Sequence, residues 1–557
     1  MTQSRRDALR TLSALAAAPA LLGLTPKGRV IRGGFVDDDS RAGHALRDGR
    51  PTLSASRPTV RTSVAIVGGG IGGLSAAWRL DALGMHDWLL LELSSRTGGN
   101  ARSAEYAGLG GQRAPWGAHY LPVPGPNATY VRQLMRELGV LRPDGTWDER
   151  ALCHSPQERL WQHGRWHEGL DPLDASAPAD REQFRRFEQQ IADWRDSGMF
   201  EVPSAEGHIR RARAAAEGGQ AAQRAAAVRS LDRITAHEWM QREGFTSPAL
   251  RWWVEYGTRD DYGASLQQAS AWAAVHYFAG RDAEEVGPLT WPEGNDWIAR
   301  ALTQRLARRP AVHPTAGGGS RLLTNAPALR LARQSTRESA PWVVDTPTQR
   351  IVCDTVIWSA PLFVLPRVCE AVTLPVSLEY APWVVANLVL DREPSSRGAT
   401  LAWDNVIYGS PALGYVNARH QHLGTPPATQ LWSWYYAAVD RPAREARQWV
   451  QQRSWSAWRD EIIADLQKAH PDIADRLLRV DVMRWGHAMA RPVPGTLDRV
   501  DTMQRWSPAP RLFVAHADQS NLSLFEEAQW HGVQAAEQVL RVLGRRTVPT
   551  PPAPSRP

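Results

Sequence analysis

Lysine and cysteine are the scarce residues of this 557-residue chain: Lys27 and Lys468 are its two lysines, and Cys153, Cys353 and Cys369 its three cysteines. Thiols so few and so far apart encode neither a metal site nor a disulfide scaffold, and buried unpaired thiols packing as small apolar groups are expected. Beyond the amino terminus no uninterrupted run of about 20 apolar residues occurs, so no stable membrane insertion is expected once a signal is removed. The net charge of +7 and pI near 9.6 come from arginines spread through predicted helices. With no basic stripe, a nucleic-acid partner is not expected.

What is present begins with length. At 61.7 kDa the chain exceeds what one hydrophobic core supports, which predicts two or more domains. Ser4, Arg5 and Arg6 precede an uncharged apolar run from Thr11 to Leu24, with Ala18 and Ala20 as small residues at which a peptidase could cut. This resembles a twin-arginine signal and predicts periplasmic or other export of an already folded protein.

Along the chain, 1–27 reads as the signal and 28–61 as an extended arm or linker. Residues 62–150 start with strand Val64 to Val67, helix Leu74 to Leu83 and strand Trp88 to Leu93, the size of a parallel crossover. Helical patterns fill 151–285, among them Arg181 to Trp194 and Leu231 to Glu243, the second capped by Asp232 or Ser230. Strand signals return in 286–370, strands mixed with aromatics occupy 371–494, and 495–543 closes the folded part. The proline-rich tail 544–557 is expected to be disordered. The fold class is therefore α/β: a discontinuous Rossmann-like dinucleotide domain, with a second α+β domain for substrate.

Gly68, Gly70 and Gly73 form a G-x-G-x-x-G directly after a strand and at the opening of a helix. Gly68 permits the tight turn, Gly70 lets amides approach a diphosphate, and Gly73 lets helix pack on strand. The intervening Ile71 and Gly72 lie at the helix amino end, where an anion is favoured. Glu92, at the end of the second strand, is placed to accept hydrogen bonds from a ribose diol, with Leu93 beside it.

The continuation Ser94, Ser95, Arg96, Thr97, Gly98, Gly99, Asn100 resembles the flavin-containing amine oxidase superfamily, which includes monoamine and polyamine oxidases, protoporphyrinogen oxidase and phytoene desaturases. The resemblance implies FAD, with Arg96 neutralising the diphosphate and Gly98 and Gly99 letting the backbone lie close to it. Asn100 stands where the family commonly has a second arginine. The run Trp116, Gly117, Ala118, His119 falls where relatives place a loop against the flavin ring, and the stretch from Cys353 to Pro361 resembles the strand that returns to the cofactor domain. Asp518 matches the carboxylate for the ribityl chain. Trp530 to Val533 matches the helix amino end at the flavin pyrimidine.

Many amine oxidases of this superfamily also hold a water near the flavin with a lysine. Here that strand reads Trp383 to Leu390 without one, and Asn387 is taken as the corresponding position. Asn387, His487 and Tyr435 are the candidate catalytic residues. Trp252, Trp253, Tyr256, Trp403, Tyr408, Trp432, Trp434, Tyr435, Tyr436 and Trp485 crowd the expected substrate segments, and Asp260, Asp261 or Asp404 could serve as counter-charge to an alkylammonium. The leading expectation is FAD-dependent oxidation of a small amine, polyamines included. Two alternatives stay open: dehydrogenation of an apolar substrate, and a flavoprotein whose FAD is structural and which acts as a binding or maturation partner.

Overall fold

A computed structural model describes residues 23–24, 30–36, 40–48, 53, 56–173, 177–281, 287–313, 318–422 and 428–545. Of the expected signal 1–27, residues 1–22 and 25–27 lie outside the described residues, as does the tail beyond 545. No helix among those described is long and apolar enough to cross a membrane.

The fold is α/β, and two sheets organise it. The first has seven strands. Its parallel centre is Trp88–Leu91, Thr59–Val67, Arg350–Trp358 and Leu512–Val514, extended by the edge strand Leu322–Leu323 and an antiparallel pair, Trp342–Asp345 and Arg330–Arg333. The run Val64 to Val67 is apolar throughout because both of its faces are covered. Val64 and Ile66 pack with helices Ile71–Ala82 and Phe525–Val542, while Ala65 and Val67 face Trp342, Val344 and Leu362. The parallel registers Val67↔Leu91, Trp358↔Val67 and Trp358↔Val514 bring four strand ends to one edge. Gly68, Glu92, Ser359 and Ala515 follow immediately, so the cofactor residues are gathered by register and not by sequence proximity.

The second sheet has nine strands. Its long members are Val30–Phe35, Leu477–Ala490, Tyr380–Leu390 and Gln430–Ala437, followed by the shorter Tyr415–Asn417, Asp404–Ile407, Glu158–Gln162 and Arg165–Glu168. One face, carrying Val384, Ala386, Trp432, Trp434 and Tyr436, packs on helices Ala443–Gln452 and Trp455–Leu466. The other face, carrying Trp383, Val385, Tyr435 and Met483, looks toward Trp116, Tyr256 and Trp403. Residues expected as a linker thus contribute a strand: Val30–Phe35 pairs in parallel with Leu477–Ala490 and on its other side with Gly23–Leu24, and helix Ser40–Asp48 follows it.

Six helices between Pro178 and Ala279 make a separate lobe with its own core. The helix expected over Leu231 to Glu243 is broken there. One helix ends at Asp232, and Ala236–Arg242 starts anew behind Thr235, whose side chain and Glu238 form a reciprocal capping box. That box satisfies two amides at once, which neither Ser230 nor Asp232 does for this helix. Asp232 instead accepts the amide of Leu497 at 2.7 Å.

Candidate functional site

The glycine turn shows why its residues are glycine. Gly68 has φ +109°, and a Cβ there would lie 2.7 Å from the Ser359 backbone. At Gly72 a Cβ would run into the Ala515 carbonyl oxygen, and at Gly73 into that of Gly68. Gly70 is different: its missing Cβ would meet only the Gly99 Cα, at 4.0 Å, and that of Gly99 the Gly70 Cα at 3.2 Å. Two side-chain-free backbones therefore face each other across a slot, tied by Gly98 N–H to the Gly69 carbonyl at 2.8 Å. Helix Ile71–Ala82 opens on this slot with no side-chain cap at Gly70, leaving its amino-terminal dipole for an anion.

Glu92 closes the adenosine side. Its Oε2 accepts Gly69 N–H at 2.7 Å and its Oε1 accepts Ser94 N–H at 2.8 Å. Burial raises its pKa, and those amides and the nearby Arg102 only partly offset the rise. The Ser94 side chain also bonds this carboxylate, and the acceptor capacity of its two oxygens exceeds these three donors, leaving room for a hydroxyl. The slot, the helix end and this carboxylate fit the diphosphate and ribose of FAD.

Arg96 donates to the Ser103 carbonyl at 2.7 Å, bracing the second glycine turn. Arg102, to which the sequence reading gave no role, donates to the Gly99 carbonyl at 3.1 Å and lies over the Trp485 ring at 5.6 Å. Its proximity to Glu92 and Gly99 makes it the cation bordering the slot. Leu93 follows Glu92 beyond the strand end, and Ile71 is the first helical residue. The Asn100 side-chain N–H donates to the Ala488 carbonyl at 2.7 Å.

The loop Trp116 to His119 is pinned from three sides. Trp485 Nε1 donates to the Trp116 carbonyl at 2.6 Å, Ala118 N–H to the Asn100 carbonyl at 3.1 Å, and Thr290 Oγ1 to the His119 carbonyl at 2.8 Å. At Gly117 a Cβ would collide with the Asn100 carbonyl. Asp518 is buried, and its Oδ2 accepts Leu362 N–H at 2.9 Å and Tyr380 Oη–H at 2.6 Å. Burial would raise its pKa, but His516 and these donors outweigh that and hold it below the usual range.

The helix amino end expected at Trp530 to Val533 is not there. Both residues lie inside helix Phe525–Val542, whose first turn carries Phe525, Glu526 and Glu527, and Val533 is core. Gly532 is a packing residue: a Cβ on it would strike the Gly72 carbonyl on the crossing helix.

Next to the pinned loop lies an aromatic cluster. The His119 ring centroid is 4.9 Å from Tyr120, 5.5 Å from Trp403 and 4.6 Å from Tyr435, whose hydroxyl donates to the Gly117 carbonyl at 3.2 Å. Helix Pro248–Tyr262 contributes Trp252, Tyr256 and Asp260 at i, i+4 and i+8, hence on one face. Tyr120 donates to Asp260 at 3.1 Å and Tyr256 to Asp404 at 3.3 Å. Asp261 is paired with Arg281 at 2.7 Å. Asp260 and Asp404 keep part of their surface open, and a small cleft adjoins His119 and Trp403.

Burial dominates the electrostatics here. It pushes Asp260 up to about 7, aided by Asp261 and opposed by the Tyr120 hydrogen bond and Arg281. Asp404 is raised well above the carboxylate range by burial and by Glu158 and Asp260. His119 is lowered to about 4, so its imidazole is neutral.

Of the catalytic candidates, Tyr435 stands in this cluster. Asn387 is fully buried in its strand, accepting Ser433 Oγ–H at 2.7 Å with the Tyr106 phenol nearby. His487 stacks on Phe363 at 4.3 Å and abuts Tyr380, joining the Asp518 neighbourhood instead. Trp432, Trp434 and Tyr436 point to the opposite face of the sheet.

A sequence model of the family described as flavin containing amine oxidoreductase matches residues 71–540. No curated protein matches the sequence. Among solved structures, putrescine oxidase bound to putrescine is similar at 15% identity and a TM-score of 0.61, covering 87% of this chain and 100% of that one. Cyclohexylamine oxidase from Brevibacterium oxydans gives 15%, 0.60, 87% and 100%. The fatty acid isomerase from P. acnes gives 14%, 0.55, 87% and 99%. At such identities these likenesses speak for the fold alone.

Proposed function

This chain belongs to the flavin-containing amine oxidoreductases and is an FAD-dependent oxidoreductase, and from that premise we propose that its substrate is a small alkylammonium, diamines and polyamines included. Bound FAD supplies the chemistry, accepting two electrons as hydride from the carbon next to nitrogen. The chain supplies recognition and seclusion. The observation that carries the reading is the pair Asp260 and Asp404, each held by a tyrosine hydroxyl within an aromatic cluster beside the Gly117 to His119 loop. Carboxylates attract an ammonium, and tyrosine and tryptophan faces stabilise it by cation–π attraction, about 0.5–2 kcal/mol for each desolvated contact. A polyene or fatty acyl chain gains nothing from buried carboxyl groups, whose desolvation it would worsen. Putrescine oxidase and cyclohexylamine oxidase, both named for amines, share the fold, which agrees with this choice without fixing it.

The test is anaerobic mixing of the purified yellow protein with putrescine, spermidine, benzylamine and cyclohexylamine, following flavin absorbance. Bleaching by at least one amine, and not by polyenes or unsaturated fatty acids, is expected. A tightly held FAD that no amine reduces would rule the reading out in favour of a structural cofactor.

A further inference from the structure

We propose that Asp260 is the base that removes the proton from the bound alkylammonium, with Tyr120 positioning its carboxylate; the inference rests on the amine reading of this site. An ammonium nitrogen has no lone pair to support hydride loss from the neighbouring carbon, so one N–H bond must break first. Of this chain's two lysines, Lys27 lies outside the described residues and Lys468 is bonded to Asp465 at 2.9 Å.

The groups that could take the proton are few. Tyr120, Tyr256, Tyr277 and Tyr435 have phenols driven well above their ordinary value by burial and by neighbouring aspartates, so none is a phenolate. His119 has its pKa lowered to about 4 by burial, so its imidazole is a much weaker base. Asp261 is committed to Arg281. Asp404 accepts Asn405 N–H at 2.8 Å on Oδ1 and Tyr256 on Oδ2, so both of its oxygens are engaged. Asp260 differs in geometry: its Oδ2 accepts Tyr120, while no described residue engages Oδ1 and the side chain keeps open surface. The groups facing it are Tyr256 and Asp261 on its own helix, Tyr120 on the loop strand, Tyr277 and Arg281 beyond it, Glu158 on the sheet and Asp404 opposite.

The step balances within the reaction already proposed. The N–H bond breaks and an O–H bond forms on Asp260, leaving on nitrogen the lone pair that would become the C=N bond when bound FAD, as the two-electron acceptor, takes hydride from the neighbouring carbon. Arg281, which holds the neighbouring Asp261 at 2.7 Å, also lines a cleft with Glu526 and Glu201.

The experiment is anaerobic stopped-flow reduction of the FAD-loaded enzyme by putrescine and by benzylamine between pH 6 and 9, with FAD content, flavin spectrum and amine-induced spectral perturbation recorded in parallel. Wild type should show a rate limb rising with pH near 7. D260N should lose that limb and fall by about 100-fold or more at pH 8, with FAD content and spectrum unchanged. Y120F should move the limb to higher pH, because the hydrogen bond that favours the ionised carboxylate is gone. A D260N enzyme that keeps the limb, or that only needs more amine to saturate, overturns the proposal while the amine reading stands. Wild type reduced by no amine overturns both. Should D260N not retain FAD, Y120F decides alone: a displaced limb supports the assignment and an unmoved limb refutes it.

Discussion

Glu92 illustrates how one side chain can be essential to a site while contributing little to the fold. Its carboxylate is desolvated, and Gly69 and Ser94 amides hold both oxygens in place. A ribose diol arriving there finds an acceptor already oriented, so little ordering cost is added on binding. Replacing it by alanine leaves the Gly69 and Ser94 amides without their partner as well as removing the ribose contact. Glu92→Ala should therefore weaken FAD binding by about 1–3 kcal/mol, or about 5- to 150-fold, measured by fluorescence titration of the apoprotein with FAD. An unchanged Kd would show that the ribose lies elsewhere. Arg102 was missed at the residue scale because the family pattern directs attention to Arg96. Only the fold reveals that the later arginine reaches the Gly99 carbonyl.

At the scale of elements, the crossing of helices Ile71–Ala82 and Phe525–Val542 joins the two ends of the chain at the cofactor slot. Gly532 is the point of nearest approach, and its Cβ would meet the Gly72 carbonyl and, at 3.1 Å, the Ala76 amide nitrogen. Alanine is the better helix former by about 1 kcal/mol. The collision is with backbone, however, so the helices must part, at an overpacking cost of about 1–3 kcal/mol. Gly532→Ala should lower Tm in a thermal melt and reduce FAD content together, since Gly72 moves with its helix; a raised Tm would mean that the crossing is looser than described.

The same element shows what was legible in the sequence. The first glycine turn could be read because close backbone approach demands glycine, and its strand, turn and helix are contiguous. The amino end of the last helix was placed at Trp530 to Val533 on the family resemblance, although apolar spacing continues from Phe525 to Leu540. Alternation would have separated Tyr435 from Trp434 and Tyr436, since neighbours in a strand face opposite ways. What alternation could not supply is the meeting of Asp260 with Tyr120, or of Asp404 with Tyr256. Those pairs are 140 and 148 residues apart and depend on how the helical lobe docks on the sheet.

For the whole molecule, the buried charges impose a pH dependence that can be worked out by sign. Asp232, Glu206, Asp260 and Glu526 are each raised to about 7, in every case chiefly by burial. The folded protein therefore binds protons that the unfolded chain has released, and stability falls as pH rises through this region. Buried histidines act in the opposite sense. His119, His276 and His470 are lowered to about 4 and His531 to about 3 by burial, so the unfolded chain binds more protons below its ordinary histidine pKa near 6.5. The two sets oppose each other between about pH 4 and 6.5, and no strong trend is expected there. Above that range the histidines are neutral in both states, and only the carboxyl groups still titrate in the folded one. Tm of the FAD-loaded protein should accordingly decline as pH is raised from 6.5 to 8, measured by differential scanning fluorimetry at constant ionic strength. A Tm that stays level or climbs across that interval would mean that these carboxyl groups are ionised in the folded protein already at pH 6.5, and that Asp260 in particular enters the reaction as a standing anion.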